Sequence, residues 1–341
     1  MMALPLLAAV AIIGLTWAKW WPYTLKLQGL LADRSWKSSS ILKTAGSGSS
    51  APSLHGGWDF TVAYGKAIWK ALVVALLVSA AVDALVPHRW LAGLLGRRGR
   101  FNGTMAGGML AIPCMMCTCC AAPVASTLRR SGTRTSSVLA YWLGNPVLNP
   151  AVLAFLAIVA PWQWFAVRLA VGVLLVFGAT VLIGRLAKGD ADVPADVVPT
   201  AQTDEPLRTA PRRFVTTLAR LSVTLVPEYA IVVFAIGVFR GWLFPLDDNA
   251  GHWGVLAIVL AAILGTLVVI PTAGEIPVLQ GLAAAGAGAG VVGTLLITLP
   301  AISLPSMVMV MRDLSWRVTL ATAAAVAAAG LVAGALLWTL L

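Results

Sequence analysis

The sequence predicts an all-α polytopic membrane protein built from two inverted repeats with broken or re-entrant helices. Three observations carry this. Of the 341 residues, 59% are hydrophobic before the 32 glycines are counted and only 11% are charged, and the mean hydropathy is +0.89. A soluble domain carries about 25% charged residues, so there are too few charges here to coat a globule in water, and a soluble enzyme is excluded. Second, apolar stretches of roughly 20 residues, the length that crosses the hydrocarbon of a bilayer, recur along the chain. Third, two apolar stretches are broken by proline and small residues at matching places in the two halves.

Helices are expected near 4–22, 67–88, 136–159, 164–186, 216–240, 291–311 and 317–340, with broken segments near 102–128 and 253–289. The first apolar run, Leu4 to Trp21, has no basic n-region and no A-x-A cleavage site, so it reads as a retained helix. Residues 1–65 then comprise an N-terminal helix and a Ser-rich polar connection, and 66–186 the first repeat. Residues 187–213 read as a cytoplasmic linker: Arg185 to Arg213 holds five acids, five bases, and Pro194, Pro199, Pro206 and Pro211. Residues 214–341 are the second repeat.

The repeat rests on a shared offset. Pro123 and Pro277, Pro146 and Pro300, and Lys66 and Arg220 are each 154 residues apart. Interrupted segments at corresponding positions of two halves are the best sequence pointer to a transporter binding site.

Charge sets orientation. The net charge is +11, from 24 basic and 13 acidic residues. The bases sit at helix ends, so the positive-inside rule is the better reading than a nucleic-acid partner, for which no motif is present. The acid-free stretches with Arg89, Arg97, Arg98 and Arg100, and with Arg129, Arg130 and Arg134, share the cytoplasmic face with the 187–213 linker. Asp247 and Asp248 then lie outside, Arg312 and Arg317 inside, and the repeats are inverted. The connection 23–65 becomes external although it carries Lys26, Arg34, Lys37 and Lys43.

All four cysteines fall between Pro113 and Pro123, at Cys114, Cys117, Cys119 and Cys120, which excludes a distributed disulfide framework. Thiols are soft donors suited to thiophilic ions, and trivalent arsenic shares that preference. The three-residue spacings of Cys114, Cys117 and Cys120 put them on one helical face. All four, Cys114 included, are candidate substrate contacts, and Cys117, Cys119 and Cys120 are candidate ligands for a soft metal ion of unknown identity; against them stands the bland reading that small residues permit close helix approach. No resident cofactor is expected. Thr272 matches Thr118, and Ser303 falls in the counterpart of the stretch holding Asn145 and Asn149, so all five are candidate pathway residues; helix–helix hydrogen bonding accounts for such residues equally well. Glu275 and Glu228 are acids at membrane depth, expensive there and usually functional. Each is a candidate coupling group, and Glu275 reads equally as the partner of a buried Lys or Arg. No G-x-x-x-x-G-K-[ST] loop is present, so transport would be driven by a gradient or a partner ATPase.

Cys117-Thr118-Cys119-Cys120-Ala121-Ala122-Pro123-Val124, Leu128-Arg129-Arg130, Gly144-Asn145-Pro146 and Asn149-Pro150 resemble the bacterial predicted-permease family that includes the organoarsenical efflux permeases. Thr272-Ala273-Gly274-Glu275-Ile276-Pro277-Val278 with Leu299-Pro300 resembles that family's second half. The resemblance covers about 65–340, leaving 1–64 as a variable extension. It implies an inner-membrane permease, in contact with lipid and a small soft solute, whose cysteines line the path. The family's common pattern has a phenylalanine and fewer cysteines after the first proline; Cys114-Met115-Met116 stands here instead, which leaves the substrate open. A membrane thiol-redox or scaffold protein is the alternative.

Overall fold

The computed structural model describes residues 3–36, 53–85, 99–187, 210–243, 254–284 and 286–341. The N-terminal arm comprises α1 (Ala3–Leu15), a π-helical turn (Thr16–Trp20) and α2 (Trp21–Asp33). The first repeat holds α3 (Leu54–Leu85), α4 (Gly99–Ala111), α5 (Thr118–Arg130), α6 (Thr135–Val147), α7 (Pro150–Val159), α8 (Trp162–Val173) and, after a second π turn, α9 (Thr180–Leu186). The second holds α10 (Ala210–Leu243), α11 (Gly254–Leu267), α12 (Glu275–Ala284), α13 (Ala289–Ala301), α14 (Leu304–Leu314) and α15 (Trp316–Leu340). Among the described residues five spans are long and apolar enough to cross a membrane, and α13 with α14 forms a sixth, bent by 50°. The chain is therefore a multi-pass membrane protein.

The 154-residue offset extends over whole elements: α6 and α13 start at 135 and 289, α7 and α14 at 150 and 304, and α8 and α15 at 162 and 316. Equivalent long helices α3 and α10 pack antiparallel. Near one end, Ser53 N donates to Val238 O at 3.3 Å; near the other, Arg213 donates to Asp83 O and Thr217 to the Asp83 carboxylate, at 2.8 and 2.7 Å. Antiparallel equivalents are what inversion of the repeats demands.

Small residues set the packing within each repeat. In the first, Gly144 of α6 lies between Ala111 of α4 and Val176 of the second π turn; a Cβ there would stand 3.0 and 3.5 Å from them. The equivalent trio is Gly265, Thr298 and Gly330, with the size order reversed: Thr298 occupies the middle and both flanks are glycine. A Cβ on Gly330 would come within 2.5 Å of Thr298. Apolar side chains on the outer faces, such as Val223 and Ile231 of α10 and Leu331 and Trp338 of α15, are exposed, as lipid contact requires.

Several boundaries differ from expectation. α3 starts at Leu54 rather than 67, because its 32 residues extend about 48 Å, beyond the roughly 30 Å hydrocarbon core. Polar residues such as His55 and Asp59 are tolerated on the protruding turns, where they pair at 3.4 Å. The expected polar connection from 23 contains α2, and α10 reaches back to Ala210. The continuous helices expected over 136–159 and 291–311 are each interrupted, since Pro150 lacks the N–H that would continue α6 and Pro305 does the same after α13. The basic run Arg89–Arg98, most of the 187–213 linker and Asp247–Asp248 lie outside the described residues.

Two outcomes follow from this packing. Thiols introduced at Ser53 and Arg213 in a cysteine-free background should be labelled from opposite faces of oriented vesicles; labelling from one face would contradict the antiparallel pair. Gly265→Ala and Gly330→Val, which copy the first repeat's flanks, should each cost about 1–3 kcal/mol by overpacking. Adding Thr298→Gly should restore thermal stability in detergent, and additive losses would disprove the trio's complementarity.

Candidate functional site

Each repeat contributes a broken hairpin. In the first, α4 gives way to a 3₁₀ turn at Ile112–Cys114, Met115 adopts φ 51°, and α5 starts after Cys117. In the second, α11 ends at Leu267 and Ala273 adopts φ 67° before α12. A left-handed conformation costs a non-glycine residue about 1–2 kcal/mol, so neighbours must hold both breaks in place. Asn145 of α6 does so at the first, accepting from Met116 N at 3.3 Å and donating to Tyr141 O at 2.8 Å. Trp142 Nε1 donates to Thr118 O at 3.1 Å.

Cys117 lies close to both Cys119 and Cys120, while Cys114 stands apart. Cys117 Sγ donates to Cys120 Sγ at 3.1 Å, both buried and in the free thiol form. Cys119 turns away, to Ser303 Oγ at 3.2 Å, and Thr118 lies 3.5 Å from the same hydroxyl. Cys114 sits apart, 3.8 Å from Tyr141 OH. Among the described residues no three His, Cys, Asp or Glu side chains are arranged to hold a metal ion. Of the candidate ligands Cys117, Cys119 and Cys120, the thiol–thiol hydrogen bond joins Cys117 and Cys120, while Cys119 points toward Ser303, as expected for its place on a continuous helix.

Ser303 comes from the second repeat, so Cys119 and Thr118 meet it across the repeat interface. Its main job is local: with Ser306 it forms the capping box of α14. Asn149, one repeat earlier, caps α7 in the same way through Ala151 N and Val152 N. Its Nδ2 is buried without a hydrogen-bond partner among the described residues.

Tyr64 of α3 and Tyr229 of α10 stand with ring centroids 6.1 Å apart, within electrostatic range of Cys119 and Cys117. Both hydroxyls are buried without a well-formed hydrogen bond among the described residues. They interact only loosely with each other and with Cys119, and a hydroxyl buried without a well-formed hydrogen bond costs about 1–3 kcal/mol.

A family model described as predicted permease matches residues 54–338. The chain belongs to this predicted-permease family. The permease is also 36% identical over 330 residues to the UPF0718 protein YraQ of Escherichia coli (strain K12), an alignment covering 96% of this chain and 92% of that protein. No solved structure matches. The family model leaves out residues 1–53, whereas the alignment with that relative takes in most of them, and the structure ties the segment to the rest of the protein. α1 packs on α3, Trp20 Nε1 donates to Pro113 O at the first break at 2.8 Å, and Lys19 Nζ donates to Thr272 Oγ1 at the second at 3.0 Å. Tyr23 and Trp36 lie edge-on to Phe155 of α7.

Glu275 has a partner that spacing did not reveal. Arg168 of α8 is fully buried and places Nη1 3.0 Å from Glu275 Oε1. Its other nitrogens donate to Pro146 O at 2.8 Å and Val147 O at 3.2 Å. Those are carbonyls that the helix break strands: Pro150 has no N–H for Pro146, and Ala151 N is taken by the Asn149 cap. Glu228 pairs with Arg312 at 3.3 Å. Arg168 is the sole charge between Trp162 and Gly184, and Lys19 the sole charge before Tyr23, signals by which both could have been found. No spacing marks Tyr64 or Tyr229.

Breaking a buried pair by removing one partner costs about 3–5 kcal/mol, whereas replacing both with apolar residues is often near neutral. Glu275→Leu and Arg168→Leu should each sharply lower thermal stability in detergent, and the double variant should recover part of the loss. Equal, additive losses would show that the two charges act independently.

Proposed function

We propose that this permease exports a soft, thiophilic solute, such as a trivalent organoarsenical or a soft metal ion, across the bacterial inner membrane, driven by a gradient. The observation that carries the reading is the Cys117–Cys120 thiol pair. It lies buried beside the unpartnered Tyr64 and Tyr229 hydroxyls, where broken helices of both repeats meet. Two thiols and two free hydroxyls supply soft contacts with adjacent hydrogen-bond donors, a combination suited to an arsenic centre bearing oxygen. Cys119, Thr118 and Ser303 sit at the seam between the repeats, where relative motion of the two halves would be felt at once.

The Arg168 pairing favours a positioning role for Glu275 over proton coupling. Protonating the carboxylate in each cycle would strip a buried guanidinium of its counter-charge. Asn149 and Thr272 take supporting parts, one as a helix cap and the other as the acceptor for Lys19.

The 3.1 Å thiol contact is also the geometry of a dithiol redox pair. Such chemistry needs an accessible thiolate, whereas Cys117 and Cys120 are 4% and 0% exposed, which favours transport.

In everted vesicles loaded through the native chain, Cys117→Ser with Cys120→Ser should reduce accumulation of a trivalent methylarsenical by about tenfold or more, a loss of roughly 1.4 kcal/mol in affinity. Cys114→Ser should remain near wild type. Wild-type accumulation by the double variant would reduce the thiols to packing residues.

A further inference from the structure

Beside the second break lies a cavity of about 300 Å³ whose lining includes Lys19, Lys66, Lys70, Tyr23 and Thr272 and no acid. Lys66 and Lys70 lie one turn apart on α3 and are exposed. Lys70 is held 5.4 Å from the ring centre of Trp17 and 5.8 Å from that of Trp69. Lys19 differs from both. It is 7% exposed, and among the described residues no carboxylate pairs with it. Its ammonium has three donors, two of which go to Tyr23 OH at 3.2 Å and Thr272 Oγ1 at 3.0 Å. The third is left for the cavity. A buried cation hydrogen-bonded only to hydroxyls, with no carboxylate beside it among the described residues, is costly and favours a counter-charge.

Lys19 lines the cavity and is also within electrostatic range of Cys117 and Cys120, so one side chain serves both. The thiol pair itself lies at the first turn of α5, a 13-residue helix whose N-terminal N–H groups carry positive partial charge. A soft cation approaching from the cavity would meet three ammonium groups and a helix N-terminus before reaching sulfur. An anion would be drawn along the same route.

We infer that the cavity is an anion vestibule of the transport path, and that the solute travels as a small soft anion whose negative group is held by Lys19, Lys66 and Lys70 while its thiophilic atom meets Cys117 and Cys120. This rests on the soft-solute reading above and fixes the sign of the solute's charge. It also gives the arm a role in recognition, since Lys19 is the arm's sole contribution of charge to the site.

Equilibrium binding of radiolabelled thiosulfate to the purified full-length protein tests this, with sulfate as the hard anion of equal charge, Ag(I) as the soft cation, and phosphatidylglycerol as the source of a lipid phosphate. Thiosulfate should bind saturably and more tightly than sulfate. Lys19→Met should weaken thiosulfate by about 10–100-fold, the range for loss of a charged hydrogen bond, and Lys19→Arg should keep most of the affinity. Should Lys19→Met not fold, Lys66→Gln and Lys70→Gln, both on exposed positions, should each weaken binding several-fold. Cys117→Ser with Cys120→Ser should lower thiosulfate affinity to that of sulfate and leave sulfate unchanged. Anion binding indifferent to the three lysines would overturn the vestibule, as would lysine-dependent binding of phosphatidylglycerol without any of thiosulfate. If Ag(I) or a trivalent phenylarsenical binds through the cysteines and neither anion binds, the vestibule falls and the soft-solute reading stands. If both anions bind equally and the thiols are irrelevant, the soft-solute reading falls and the anion site remains.

Discussion

The fold turns on one guanidinium. Breaking a helix inside a membrane strands carbonyls that no water can reach, each at a cost of several kcal/mol. Arg168 takes two of them, from Pro146 and Val147, and delivers the remaining charge to Glu275 at the head of α12. The same side chain thus makes the α6–α7 interruption tolerable and ties it to the second repeat's break at Glu275. Glu275 gains further from its place in the first turn of its helix, where a negative charge meets the positive end of the helix dipole. The α6–α7 interruption of the first repeat and the α11–α12 break of the second are consequently a single polar unit, joined by one residue of the last span of the first repeat.

Around that unit the two halves solve the same packing problem with different residues. The offset of 154 survives in element after element, yet the side chains at equivalent places have diverged in kind. Asn149 and Ser303 cap equivalent helices with different chemistry, while Cys119 and Ala273 share an offset with no common function. The trio of Gly265, Thr298 and Gly330 puts its one large member in the middle, where Ala111, Gly144 and Val176 have glycine there and larger residues on the flanks. Close packing is met in both by setting small against large.

Much of this was legible in the amino-acid order. Composition and span length require a polytopic helical protein, and the matched prolines reveal the repeat and its breaks, because proline acts through the backbone at its own position. The clustered cysteines point to the first break for the same local reason. Contacts across the chain were not legible. Arg168 and Glu275 are 107 residues apart, and Lys19 and Thr272 are 253 apart, so neither pair leaves a periodic trace. Each lone charge in an apolar run announced that it needed a partner without saying which. Helical spacing turns Cys119 away from the face of Cys117 and Cys120, but it cannot show Ser303, 184 residues on, as the group Cys119 meets.

The N-terminal arm is present once, and this has a bearing on the cycle. Two inverted repeats exchanging roles would give two conformations related by symmetry and equal in energy. The arm ties itself to both breaks from one side, through Trp20 to Pro113 and through Lys19 to Thr272, and the twofold operation generates no second copy. One of the two conformations keeps those bonds and the other must strain or release them. In a cycle of that kind the arm would favour the conformation that keeps both bonds, adding to the asymmetry of the diverged side chains.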